Sequence, residues 1–157
     1  MACTRRSRDG TWAKKELTSY YGFKLHTIID REHQLIRAQV TTSASVHDSR
    51  VDLSQSGKTV YRDKGYFGVK PIASMDKTMH RAVRNHPLSS KEKRRNRAIS
   101  RVRSLVERTY AVIKRQFHAG HVLVTTVARV SLHNLFACFN YNLAQLRTIH
   151  RRALEER

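Results

Sequence analysis

Arg103-Ser-Leu-Val-Glu107-Arg-Thr-Tyr-Ala-Val-Ile-Lys114 reads as a helix with one carboxylate held between cations on a single face. Steps of four and seven residues return side chains to nearly the same side of a helix, so Arg103, Glu107 and Lys114 share a stripe. The surroundings sharpen the reading. Between Lys77 and Leu154 there are seventeen basic residues, and Glu92 and Glu107 are the only acids. An acid kept in so basic a segment suggests a metal ligand at a phosphate-handling site. A local Arg-Glu ion pair on a solvated helix is the alternative.

The charge balance points the same way. The 157 residues carry a formal charge of +19, and residues 77–154 hold most of the excess. A polyanionic partner is expected, with nucleic acid the default and its contact surface mainly in the second half. A membrane partner is not expected, because the chain has no long apolar run and no separate amphipathic anchor. Cys3 and Cys138 lack metal-ligand spacing and imply no disulfide framework or zinc site. The polar start, Met-Ala-Cys-Thr-Arg-Arg-Ser-Arg, is no secretory signal, and a reduced, cytoplasmic setting is the simplest expectation. His26, His47, His118 and His121 show no pairing that demands a metal.

Outward from the helix, the pattern is mixed. Residues 1–16 read as a flexible basic lead-in, with Trp12 as its one anchor. Residues 20–29 are rich in aromatic and β-branched side chains and predict a strand, 30–34 a polar turn, and 35–42 the returning strand of a hairpin. Asp48 could cap a short helix to about residue 54, or support the site. Ser56-Gly57 is a turn, 59–62 a short strand, and 67–75 a possible helix. Residues 77–96 predict one short strand and then a mobile loop around Pro87. The main helix is expected over 97–117, with Ile99, Val102, Val106, Tyr110, Ile113 and Phe117 as its apolar side and Gly120 as its stop. A last helix over 132–152 is expected to bury Leu132, Leu135, Phe136, Phe139, Leu143 and Leu146. This order makes an α/β arrangement, a small mixed sheet covered by helices.

Asp63 ends the strand 59–62 and is followed by Lys64 and Gly65. Ligands in open α/β sheets gather at the carboxyl ends of strands, although an Asp-Lys-Gly sequence is also an ordinary turn. Two carboxylates from separate elements, Asp63 and Glu107, could hold Mg²⁺, which prefers oxygen ligands. Lys64, Arg103 and Lys114 could then hold phosphate. Tyr66 and Phe67 could stack on a base or simply pack. The run from Lys91 to Arg97 could touch phosphates through Arg94, Arg95 and Arg97 or stay a solvated stretch. Arg108 and Arg115 on the main helix are further candidates for DNA contact.

At these residues the chain resembles the C-terminal part of DDE-class insertion-sequence transposases of the group with the Tyr-Arg-Glu-Lys signature. Arg103, Glu107 and Lys114 match that spacing; Ser100 stands where the Tyr would fall. Val60-Tyr-Arg-Asp63-Lys-Gly65-Tyr66 resembles the segment that bears the second catalytic Asp. Tyr21-Gly-Phe-Lys-Leu-His26, Val40-Thr-Thr-Ser-Ala-Ser-Val-His-Asp48 and Asn142-Leu143 resemble further family stretches, in the expected order from about Asp9 to Leu146. The resemblance implies an RNase H-like fold, with a mixed sheet flanked by helices. It also implies Mg²⁺- or Mn²⁺-dependent cleavage and strand transfer on DNA. Asp63 and Glu107 would be metal ligands, and Arg103 and Lys114 would position the acid and the terminal DNA phosphate.

The family's first catalytic Asp lies on a strand well upstream of the Tyr21-Gly-Phe-Lys stretch. Here Asp9 and Glu16 are the only acids before that stretch, and no apolar strand surrounds Asp9. The expectation is a partial catalytic domain over 17–157 that lacks the first strand and is inactive alone. Its partners would be transposon-end and target DNA, and another transposase chain. A non-catalytic basic DNA-binding protein or regulator derived from a transposase is the alternative.

Overall fold

The computed structural model describes residues 7–15 and 17–156. The chain is mixed α/β, with five strands and two long helices among the described residues. It divides into two units. One comprises Met1–His47 with Thr109–Arg157, and the other comprises Asp48–Arg108.

In the first unit, β1 (Thr11–Lys15), β2 (Thr18–Ile29) and β3 (Ile36–Ser43) form an antiparallel sheet in that order. The lead-in expected over 1–16 is therefore partly a strand, and residues 1–6 and 16 lie outside the described residues. Trp12 does anchor it, edge-on to Tyr21 with ring centroids 5.2 Å apart. β2 changes partner midway: Thr11 pairs with Gly22, and the next residue, Phe23, pairs with Ser43. Gly22 sits at φ 143°, a backbone region that other residues rarely enter, and it lets the strand bend at the exchange. The expected hairpin is present. Its turn is closed by Asp30, whose carboxylate accepts from the His33 amide at 2.6 Å while its own amide donates to Leu35.

The end of α1 (Ser90–Gln116) and all of α2 (Val127–Glu155) complete this unit. Ile36, Ile113, Ala137, Cys138 and Tyr141 form its buried centre, with Leu25, Ile29 and Phe117 against them. Burial pushes the Cys138 thiol up to about 11. α1 ends at Gln116, within one residue of the expected Phe117, but the residue that turns the chain is His118 and not Gly120: His118 takes a left-handed conformation, φ 52°, and the Ala119 amide turns back to the Ile113 carbonyl.

α2 is docked by polar side chains. The Asn142 amide group accepts from the Ile36 N–H at 2.8 Å and donates to the Ile36 carbonyl at 2.9 Å. Asn134 donates to Thr41, Gln145 to the His33 carbonyl, and the Tyr141 hydroxyl to the Gln34 carbonyl. At the start of the helix, Thr126 caps the Arg129 amide, and the Asp9 carboxylate accepts from the Val127 amide at 2.9 Å. The apolar stripe expected to be buried faces the other way. Leu132, Leu135, Phe136, Phe139, Leu143 and Leu146 are 48–57% exposed, and Val130, Asn134, Ala137, Cys138 and Tyr141 are buried instead. Small and amide side chains let the helix approach the sheet closely, and larger ones are turned outward.

In the second unit, β4 (Thr59–Arg62) and β5 (Met75–Thr78) pair in parallel. No helix forms over 67–75, where the chain is turns and irregular structure up to the start of β5 at Met75, and the helix expected from Asp48 is a single 3-10 turn, Asp48–Arg50. α1 begins seven residues earlier than expected. Ser89 and Glu92 cap it reciprocally, with Ser89 N–H and hydroxyl donating to the Glu92 carboxylate at 2.9 and 2.8 Å. The last seven residues of the run expected as a loop, 90–96, are thus its first turns, and residues 79–89, with Pro87, are turns and irregular structure. Ile99 is buried in this unit.

The polar docking of α2 makes a prediction. Asn142→Ala leaves both Ile36 backbone groups without their partner and is expected to lower stability by about 1–3 kcal/mol, measured by urea unfolding, whereas Asn140→Ala, at an exposed position, is expected to change it by less than about 0.5 kcal/mol.

Candidate active site

Asp63 leaves the C-terminal end of β4 in an extended conformation, and its carboxylate accepts from the Gly65 amide at 2.8 Å, capping the 3-10 turn Lys64–Tyr66. Its other oxygen lies 3.5 Å from the Arg103 guanidinium. Arg103 is on α1, one helical turn before Glu107, so this ion pair ties the strand end to the stretch of helix that carries the second acid. The local Arg103-Glu107 pair left open by the sequence is not the one formed. Glu107 is exposed and makes no ion pair among the described residues.

Arg62 fixes this corner. It is 6% exposed, and its guanidinium donates to the Thr78 hydroxyl at 2.8 Å and to the Val69 carbonyl. It also pairs with Asp76 at 3.2 Å and lies over the Tyr66 ring at 5.3 Å. One side chain thereby joins β4, β5 and the segment that follows Asp63. Sequence reading passed over Arg62 because it stands beside the acid in the motif; an Arg facing inward from a short strand, with Thr78 and Asp76 two residues apart, was the available signal. Asp52 does a similar task. Burial pushes its carboxyl up, but hydrogen bonds from Ser54 and the Ile72 amide, with Arg62 nearby, outweigh this and hold it below 3.8.

The cations divide. Arg95 donates to the Thr78 carbonyl at 2.6 Å, so this proposed DNA contact is half-buried and braces β5 against α1. Asn96 beside it exchanges two hydrogen bonds with the His80 backbone. Lys64, Arg94, Arg97 and Arg108 are exposed, as are Lys114 and Arg115 further along the helix. A recess of about 260 Å³ opens next to the 3-10 turn, with Phe67, Lys70, Asp76, His80 and Arg95 on its walls. Phe67 packs against His80 at 5.8 Å. Among the described residues no three His, Cys, Asp or Glu side chains come together as a metal-binding group.

Residues 2–143 match the family described as the transposase DDE domain. The chain belongs to this family. It is 28% identical over 149 residues to the transposase for insertion sequence element IS1106 of Neisseria meningitidis serogroup B, in a match that covers 88% of this chain and 51% of that protein. The chain thus spans about half the length of this curated relative. No solved structure matches it. No helix among the described residues is long and apolar enough to cross a membrane. In this transposase-family chain, the buried Arg62, held by Thr78, Val69 and Asp76, braces the strand end from which Asp63 emerges.

Two outcomes follow. Arg62→Ala breaks a buried ion pair and its hydrogen bonds, and is expected to cost about 3 kcal/mol in urea unfolding. Asp52 is held below its ordinary value when folded, so its stabilising contribution is present above 3.8 and is lost as pH falls through the lower folded value. Unfolding of wild type and Asp52→Asn measured from neutral pH downward is expected to differ most at neutral pH and to converge in acid.

Proposed function

We propose that these 157 residues form part of the catalytic domain of an insertion-sequence transposase, with an RNase H-like architecture of the group with the Tyr-Arg-Glu-Lys signature. The observation that carries the reading is the Asp63-Arg103 ion pair at 3.5 Å, which links the strand-end acid to the helix one turn before Glu107. Proteins of this family generally use divalent metal ions. Asp63 and Glu107 supply hard oxygen donors from separate elements, a donor set that suits Mg²⁺ or Mn²⁺. When bound, such ions stabilise charge on the attacking and leaving oxygens of a phosphoryl displacement.

The chain's own residues would do the rest. Arg103 already holds the Asp63 carboxylate in a set orientation and would be displaced toward phosphate or Glu107 when a cation takes its place. Lys114, seven residues after Glu107 on the same helix, would hold the terminal DNA phosphate. Lys64, Arg94, Arg97, Arg108 and Arg115 would grip the backbone of transposon-end or target DNA; Arg95 would contribute only if it released Thr78. Asp9 accepts from the Val127 amide at the start of α2, and the family resemblance puts the first acid on a strand upstream of Tyr21-Gly-Phe-Lys; on this reading the 157 residues alone would not cleave DNA. A segment with the first strand and its Asp would complete the site. We place the protein in the cytoplasm, in contact with DNA and with another transposase chain.

One observation favours the second reading, a non-catalytic DNA-binding regulator derived from a transposase. Both Asp63 oxygens are engaged, by the Gly65 amide and Arg103. Nicking and strand transfer in Mg²⁺ or Mn²⁺ decide between the two. The expected result is no cleavage by the chain alone, and cleavage after addition of a segment bearing the first strand and Asp. That cleavage should fall at least ~100-fold in Asp63→Asn and Glu107→Gln, the scale on which charge-stabilising groups act. Cleavage by the chain alone would show that the acid set is complete. Salt-sensitive DNA binding that Asp63→Ala and Glu107→Ala leave unchanged, with no cleavage in the mixture, would establish the regulator.

A further inference from the structure

We propose, on the reading of this chain as part of a DNA-acting transposase, that the turn over residues 83–86 reads base edges in the major groove of duplex DNA. Val83 and His86 are joined by two backbone hydrogen bonds, the Val83 amide to the His86 carbonyl at 3.3 Å and the His86 amide to the Val83 carbonyl at 3.0 Å. Arg84 and Asn85 form the tip. Residues 81–87 are all exposed, and among the described residues the Arg84 and Asn85 side chains make no hydrogen bond or ion pair. Both stems of the loop are fixed to α1. Asn96 exchanges two hydrogen bonds with the His80 backbone, each 2.9 Å, and Glu92, which caps the helix with Ser89, lies 3.6 Å from the His80 ring. The tip is presented on a base that is already closed.

The residue types at the tip decide what it can recognise. The Arg fork matches O6 and N7 of guanine, and the Asn amide, with donor and acceptor on one edge, matches N6 and N7 of adenine. Val83, 55% exposed beside them, offers apolar surface of the kind that meets a thymine methyl. Asn85 also suits its backbone, φ 65°, because Asn enters the left-handed region more readily than most residues. That reason does not extend to Arg84. A phosphate contact needs only a cation, and the exposed Arg94 and Arg97 on α1 already supply cations. Paired backbones lie about 5 Å apart, so a turn of this width with its side chains fits a major groove about 12 Å wide and not a minor groove of about 6 Å. Residues 77–91 contain no Asp or Glu, so no neighbour in sequence repels the duplex. A turn preset by its own hydrogen bonds also loses little freedom on docking.

Binding of the full chain to duplex DNA at about 0.15 M salt tests this, with the preferred duplex selected from a random pool. Arg84→Lys keeps the charge and loses the fork. It is expected to weaken binding to the preferred duplex roughly tenfold, to leave binding to an unrelated duplex unchanged, and to relax the preference at one G·C pair. Asn85→Gly keeps the turn, because glycine adopts the same φ, and is expected to relax the preference at a neighbouring A·T pair. Replacing the contacted guanine with 7-deazaguanine should weaken the wild type and not Arg84→Lys. Both variants should keep the wild-type urea midpoint, since neither side chain is packed. A wild type that binds duplexes without enriching any sequence would overturn the proposal. So would Arg84→Lys matching the wild type on both duplexes while Arg84→Ala weakens both equally and lowers the salt slope by about one, the mark of a phosphate contact. Those outcomes leave the transposase reading standing, whereas absence of any salt-sensitive DNA affinity would remove both.

Discussion

The first unit depends on a helix that is fastened to a sheet by amides as well as by hydrocarbon. Asn142 takes both backbone groups of Ile36 and acts as one more rung on the edge of β3. An unpaired strand edge in the interior costs several kcal/mol in lost hydrogen bonds, so this pairing fixes the rotation of α2 about its axis. Once the rotation is set, Ala137 and Cys138 must face the sheet and the larger leucines and phenylalanines cannot. Close approach by small residues also brings the Tyr141 hydroxyl to the Gln34 carbonyl and to Thr109 on α1, so the two helices and the hairpin turn share one polar junction.

The second unit uses the same principle with a charge in place of an amide. Arg62 is buried among partners for its guanidinium: the Thr78 hydroxyl, the Val69 carbonyl, the Asp76 carboxylate and the Tyr66 ring. A buried cation so satisfied adds little net stability, but it permits few alternative arrangements. That suits a corner where the next residue, Asp63, has to point in a defined direction. The Asp63-Arg103 pair then draws on a backbone that is already held.

How far the sequence could be read follows from this. The main helix and the hairpin were legible because Ile99, Ile113 and the β-branched run of β2 obey hydrophobic periodicity, and the spacing of Arg103, Glu107 and Lys114 needs only a helix to have meaning. Asp63 was legible as the end of a strand. The rotation of α2 was not, because periodicity identifies an apolar face but not which surface it meets, and here the face toward the core is made of Asn, Ala, Cys and Tyr. The early start of α1 was readable in principle: Ser89-Ser-Lys-Glu92 is a capping box, outweighed by the basic run after it, which looks like a loop by composition alone. The 67–75 segment was misread because its backbone is tied to side chains outside it, the Val69 carbonyl to Arg62, the Ile72 amide to Asp52 and the Ala73 amide to Ser54, and does not bond to itself as a helix would.

The distribution of charge joins the two ends of the molecule's behaviour. Cations are dense in the first turns of α1 and absent from residues 130–146. Repulsion between two chains of +19 opposes pairing wherever it happens, including at an uncharged face, because the field extends about 10 Å at moderate salt. Binding a polyanion releases counterions and neutralises that field.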